Sequence, residues 1–195
     1  RDNPVLDSLG LPTADSTPFH YPADALIPRN PRLHSFSFFL PVEVSGTLAL
    51  EGNTSLRSLW MDGLERVLGD LVLAGNDAMT EYAGVSFGAL TEVGGTVGVS
   101  DHAALSFVTF PVLERAGGVR LARNASLYSA YFPSLRMVWG NVTVEDNPAI
   151  LIATYPPDPV QFIAGALLVR RNASAQTLEQ WNDLIQVGKI GRAHV

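Results

Sequence analysis

The sequence predicts an all-β fold, a parallel β-helix or solenoid of about seven coils with a repeat of about 24 residues. Three observations predict it. First, one phrase of the form hydrophobic–x–Gly–strand–Asn–x–x–Leu is written again and again. It reads VSGTLALEGNTSL at 44–56, VLGDLVLAGNDAM at 67–79, VGGTVGVSDHAAL at 93–105, AGGVRLARNASL at 116–127, VWGNVTVEDNPAI at 138–150 and IAGALLVRRNASA at 163–175. Second, the Asn slot recurs at Asn3, Asn30, Asn53, Asn76, His102, Asn124, Asn147 and Asn172, at intervals of 27, 23, 23, 26, 22, 23 and 25 residues. Third, the apolar residues around the slot hold one register. Leu50, Leu73, Val99, Leu121, Val144 and Val169 lie three before it. Leu6, Leu33, Leu56, Met79, Leu105, Leu127 and Ile150 lie three after it, followed by Ala175.

Each element follows from that register. Leu48, Leu71, Val97, Val119, Val142 and Leu167 stand two residues before the first set. Apolar residues at period two make a half-buried strand. Gly46, Gly69, Gly95, Gly118, Gly140 and Gly165 open the strands, where a special backbone conformation or a close approach would exclude a Cβ. The Asn turns inward at a corner, where its amide can pair main-chain groups of two coils. His102 replaces it as a donor. The returns carry aromatic–Pro at Phe110-Pro111, Phe132-Pro133 and Tyr155-Pro156, with a second Leu at Leu64, Leu90, Leu113 and Leu135. Extra length in two coils is expected to bulge as loops at 82–88 and 156–159.

The ends are less regular. Residues 1–24 are rich in Pro, Asp and Ser and read as a degenerate coil or linker, or as the edge of a neighbouring domain. The regular array spans 25–176. Segment 177–189 reads as a cap, helical from about 177 to 187: Thr177-Leu178-Glu179-Gln180 is a capping box, and Leu178, Trp181, Leu184 and Ile185 share one helical face. Residues 190–195, IGRAHV, resemble a sequencing adapter translated in one frame and are set aside as a non-native tail. The chain starts at Arg1 in mid-repeat, so it reads as a fragment of a longer protein.

Composition narrows the function. Net charge is −6 and the pI about 5.1. With no basic patch, nucleic acid is not expected as a partner. No apolar run reaches transmembrane length, so a membrane anchor would have to lie outside the fragment. The absence of cysteine leaves the redox compartment open.

Chemistry-bearing patterns are sparse. Gly84-Val85-Ser86-Phe87-Gly88 matches G-x-S-x-G, but the nucleophile elbow needs a strand before it and a helix after it, and here a return loop is expected. Asp101 and His102 follow as an adjacent pair, with His102 in a slot of the ladder. His20, His34 and His102 fall on different phases of the repeat and His194 lies in the tail, so no metal site is expected. The outward strand positions, such as Thr47, Ala49 and Glu51 or Asn141, Thr143 and Glu145, hold no carboxylate cluster for glycoside chemistry. Asn-x-Ser/Thr occurs at Asn53, Asn124, Asn141 and Asn172. Three of these are ladder slots, which leaves Asn141 as the candidate glycosylation acceptor.

The repeated unit at 44–56 and 138–150, with the Phe-Pro-x-Leu returns at 110–113 and 132–135, resembles the receptor L-domain family. That family is the right-handed β-helix of insulin-receptor and epidermal-growth-factor-receptor ectodomains and of lipid-anchored fungal cell-wall proteins. The resemblance covers about residues 25–175. A leucine-rich repeat is the near rival: Leu68-x-x-Leu71-x-Leu73-x-x-Asn76 fits it, but the Gly before the strand and the three-residue Asn–Leu gap favour the L domain. Animal receptor L domains carry cysteines and this chain has none, which favours the wall-protein or microbial-eukaryote branch over a growth-factor receptor. The resemblance implies a non-enzymatic extracellular recognition or cell-surface scaffold module, with a protein or glycan ligand and no cofactor. The alternatives are a carbohydrate-active β-helix enzyme and an intracellular leucine-rich-repeat-like interaction protein.

Overall fold

The computed structural model describes residues 8–10, 19–79, 85–150, 162–172 and 186–191, the first and last of these segments as backbone alone. Strands repeat in one order: a strand leading into the Gly corner, a strand between the Gly and Asn corners, and a strand after the Asn corner. Like strands stack in parallel from coil to coil, which makes three faces.

Face 1 precedes the Asn corner. It is built from β3 (Ala25–Pro28), β6 (Leu48–Glu51), β9 (Leu71–Ala74), β16 (Val142–Glu145) and the second halves of β11 (Glu92–Ser100), β13 (Arg115–Ala122), β17 (Phe162–Arg170) and β18 (Gln186–Gly191). Face 2 follows the Asn corner. It is a six-stranded parallel sheet of β1 (Ser8–Gly10), β4 (Ser35–Ser37), β7 (Ser58–Trp60), β10 (Val85–Ser86), β12 (Phe107–Thr109) and β14 (Ser129–Tyr131). Face 3 leads into the Gly corner through β2 (Phe19–Tyr21), β5 (Val42–Val44), β8 (Leu64–Val67), β15 (Met137–Val138) and the first halves of the long strands. Faces 1 and 3 join as one 12-stranded sheet because the long strands run through the Gly corner.

The result is an all-β solenoid of about six turns, against the seven expected. The inward register is the one the sequence implies: Leu48, Leu50, Leu56, Leu73, Val97, Leu105, Leu127 and Val142 are all fully buried. Each such side chain contributes roughly 1.5–3 kcal/mol when removed from water. Every coil adds its layer to one continuous core.

Both remaining corners are tight turns. After the slot, the N–H of the Leu position returns to the slot carbonyl, as from Leu56 to Asn53 at 2.9 Å. After face 2 the same turn runs from Leu90 to Phe87, from Leu113 to Phe110 and from Leu135 to Phe132. There Phe87, Phe110 and Phe132 stack in parallel, with ring centroids 4.7 Å apart at both steps. That spacing is the strand repeat itself, so one phenylalanine per coil is locked by the backbone beneath it.

Four expectations need correction. The 82–88 segment is not a loop throughout: Val85–Ser86 is a face-2 strand paired with Val108, Thr109 and Trp60, and Phe87 joins the buried stack. The extra residues therefore precede Val85. The corner glycine of the fifth phrase is Gly117 rather than Gly118. Gly117 sits two residues before inward Val119, and a Cβ on it would lie 2.7 Å from the Gly95 carbonyl oxygen, whereas Gly118 pairs with Thr96. Of the 177–187 helix, 177–185 lies outside the described residues, and Gln186 and Val187 are in a strand instead. Ile190 and Gly191, set aside as tail, continue that strand, with Val187 opposite Ile163 and Ile190 opposite Leu167 across a register shift between them. Asn3, Leu6, Ala175, the 156–159 loop and His194 fall outside the described residues.

Candidate functional site

The inside of the tube is structural. Each slot side chain points inward and serves two coils. Its Oδ1 accepts from the backbone N–H of the preceding slot: Asn30 to Asn53 at 2.9 Å, Asn53 to Asn76 at 3.0 Å, Asn124 to Asn147 at 3.1 Å and Asn147 to Asn172 at 3.0 Å. Its Nδ2 donates to a strand carbonyl of the preceding coil: Asn53 to Ile27, Asn76 to Leu50, Asn124 to Val99, Asn147 to Leu121 and Asn172 to Val144, at 2.8–3.0 Å. One amide thus satisfies a buried donor and a buried acceptor that would otherwise lack partners.

His102 fits this place less well. Asn76 N and O each lie 3.3 Å from its Nδ1, and its Nε2 has no hydrogen-bond partner among the described residues. Burial pushes its pKa down, against the opposing pull of the Asn76 and Leu73 carbonyls and of Asp77 and Asp101.

The residue before each slot has left-handed backbone: Arg29, Gly52, Gly75, Asp101, Arg123, Asp146 and Arg171, with φ between 47° and 65°. Gly adopts this freely and Asp tolerates it. The arginines pair along the axis, Arg123 with Asp101 and Arg171 with Asp146, each through two hydrogen bonds. Beside them Glu145 lies between Arg120 at 3.2 Å and Arg170 at 2.6 Å, its side chain only 10% exposed. Arg170 holds the Glu145 carboxyl below its ordinary range, Arg123 does so for Asp101 and Arg171 for Asp146. On face 3, Arg66 bridges Glu43 and Glu92 at 3.5 and 3.0 Å. Every carboxylate in these clusters faces a guanidinium.

Face 2 is different in kind. Its outward positions are Ser35, Ser37, Ser58, Trp60, Ser86, Phe107, Thr109, Ser129 and Tyr131. Not one is charged. Trp60 is 45% exposed, Phe107 40% and the flanking Tyr128 57%. Phe39 packs against Trp60, with ring centroids 6.0 Å apart. Tyr128 also walls a shallow groove of about 670 Å³, floored by Ala103, Ala104, Ala125 and Ala149 and edged by Ser106 and Ser126. These rings are exposed apolar area on one face, which makes face 2 a candidate contact surface.

The candidates from sequence are dispersed over this frame. Ser86 of G-x-S-x-G faces outward from a strand, while His102 is buried inside and Asp101 is held by Arg123, so the three form no triad. His20 and His34 are exposed, His20 bonded to Ser45. Among the described residues no group of His, Cys, Asp or Glu could hold a metal ion. Asn53 and Asn124 are fully buried, Asn172 is half-buried, and Asn141 is exposed, its Oδ1 accepting from the Ala166 N–H at 2.8 Å. Sequence reasoning missed face 2. Its mark is the polar–apolar–polar triplets Ser35–Ser37 and Ser129–Tyr131, too short to stand out beside the longer strands. Comparison with family models, curated proteins and solved structures finds no match for this chain.

Proposed function

We propose that the chain is a non-enzymatic recognition or scaffold module of receptor L-domain type, presented at a cell surface or secreted, that binds a protein or glycan on face 2. The observation that carries this reading is the contrast between an uncharged aromatic and hydroxyl face and the self-neutralised ion pairs of the other two. The parallel ladder fixes the backbone that carries Trp60 and Phe107. The exposed Asn141 sequon supports an extracellular setting. The test is binding of the folded domain to arrays of immobilised glycans and of ectodomain proteins. Saturable binding without ligand breakdown is expected. No binding on either array, or release of cleaved product, would overturn the proposal.

A further inference from the structure

We infer that the ligand of face 2 is a neutral glycan chain, held by stacking on Trp60, Phe107 and Tyr128. The inference rests on the recognition reading above and names its ligand. Three observations separate a glycan from the other candidates.

The first is charge. The chain carries −6 overall, yet the outward positions of face 2 carry no charge at all. At these positions an anionic polymer meets no cation and a cationic one no carboxylate; the exposed Arg57 and Asp62 stand at the two edges of the Trp60 strand, outside the row of outward positions.

The second is the company the rings keep. Serine or threonine fills Ser35, Ser37, Ser58, Ser86, Thr109 and Ser129. Protein-binding patches are enriched in Met and Arg beside their aromatics and depleted in Ser, and Ser and Thr are under-represented at hot spots. A sugar ring makes the opposite demand. Its axial C–H groups are polarised by neighbouring oxygens and lie on the electron-rich face of an aromatic ring. Its hydroxyls exchange hydrogen bonds with short hydroxyl side chains, which both donate and accept.

The third is shape. The outward positions repeat at the strand spacing, so Trp60, Ser86, Thr109 and Tyr131 form one row across four adjacent strands. Phe107 lies in the neighbouring row, opposite Ser129, and Tyr128 precedes Ser129, so a linear polymer that crosses the strands obliquely passes Trp60, Phe107 and Tyr128 in turn. At the Phe107 end, the alanine floor beside Tyr128 leaves room for a flat ring at the side.

Calorimetric titration tests the inference, using neutral oligosaccharides of glucose, mannose and N-acetylglucosamine and an oligo-uronate for contrast. One neutral series is expected to bind saturably. Trp60→Ala and Tyr128→Ala should each weaken binding by about tenfold at an unchanged melting midpoint. Tyr128→Phe, which keeps the ring, should bind within about threefold of the parent. Trp139→Ala, which removes a ring 58% exposed outside face 2, should bind as the parent does. If Trp60→Ala fails to fold, Phe39→Ala probes the same end of the row. Preference for the uronate, or equal loss in Trp139→Ala, would overturn the inference. Binding of an array protein through these rings, with no neutral sugar bound, would overturn the glycan and leave the recognition reading standing. No ligand of either kind would overturn both.

Discussion

The Asn corner and the Gly corner solve the same problem in opposite ways. Both must bring a turn of backbone within bonding distance of the turn below. At the Asn corner a side chain fills the gap: Asn76 accepts from the Asn53 N–H and donates to the Leu50 carbonyl. At the Gly corner the gap is removed: Gly69 N–H bonds directly to the Gly46 carbonyl at 2.9 Å, and a Cβ on Gly69 would sit 2.6 Å from the Gly46 carbonyl carbon. A polar side chain can be approximated by another polar side chain, as His102 shows. A missing Cβ has no approximation, because the obstacle is rigid backbone.

That asymmetry ranks the substitutions. Gly69→Ala should cost about 3 kcal/mol or more, since the two coils must part and lose their corner bonds. Chemical denaturation would register it, and a cost below that of Asn76→Ala would reverse the ranking. Asn76→Ala should cost about 1–3 kcal/mol by leaving the Asn53 N–H and the Leu50 carbonyl buried and unpaired. An unchanged melting midpoint would mean that this slot faces solvent.

His102 gives a test in pH. Its folded pKa is depressed from the ordinary 6.5, so its contribution is fully present above that pH and is lost as pH falls towards the folded value. The depressed Asp101, Glu145 and Asp146 act in the same direction, but only as pH falls below their ordinary values of 3.8 to 4.5. A decline in melting midpoint from pH 6.5 to about 5 is therefore assigned to His102. His102→Asn restores the ladder amide and should remove that decline while raising stability at neutral pH. A decline that survives the substitution would place its source elsewhere.

The mildest change is on the outside of the Gly corner. There Asp24 accepts from the Thr47 N–H at 2.7 Å and Asp70 from the Thr96 N–H at 2.6 Å, both exposed to water. Asp70→Ala should cost about 1 kcal/mol or less, because water can replace the lost acceptor.

How far the sequence could be read follows from the same contrast. The Asn ladder, the inward Leu and Val positions and the glycine phrase were legible, because each places a particular side chain at a fixed interval. Face 2 was not, because its strands are two or three residues long and its rings hold no common register. Phe87 was hidden because three inserted residues shift it to eleven after Asn76, where Phe110 and Phe132 lie eight after their slots. The left-handed column was half legible. Gly52, Gly75, Asp101 and Asp146 announce it, but Arg29, Arg123 and Arg171 do not, and the pairing of Arg123 with Asp101 is visible only once the coils are stacked. Gly118 was mistaken for Gly117 because a Gly-Gly pair offers two registers and only the strand pairing chooses between them.

Hydrogen exchange at single-residue resolution decides whether one inward side chain per coil holds neighbouring coils together. The amides of Asn53, Asn76 and Asn124 should be protected to the level of the core strands, and Asn147→Ala should release Asn124 while leaving Asn53 protected. Slot amides that exchange in the parent protein as fast as those of an unstructured chain would contradict the inward ladder.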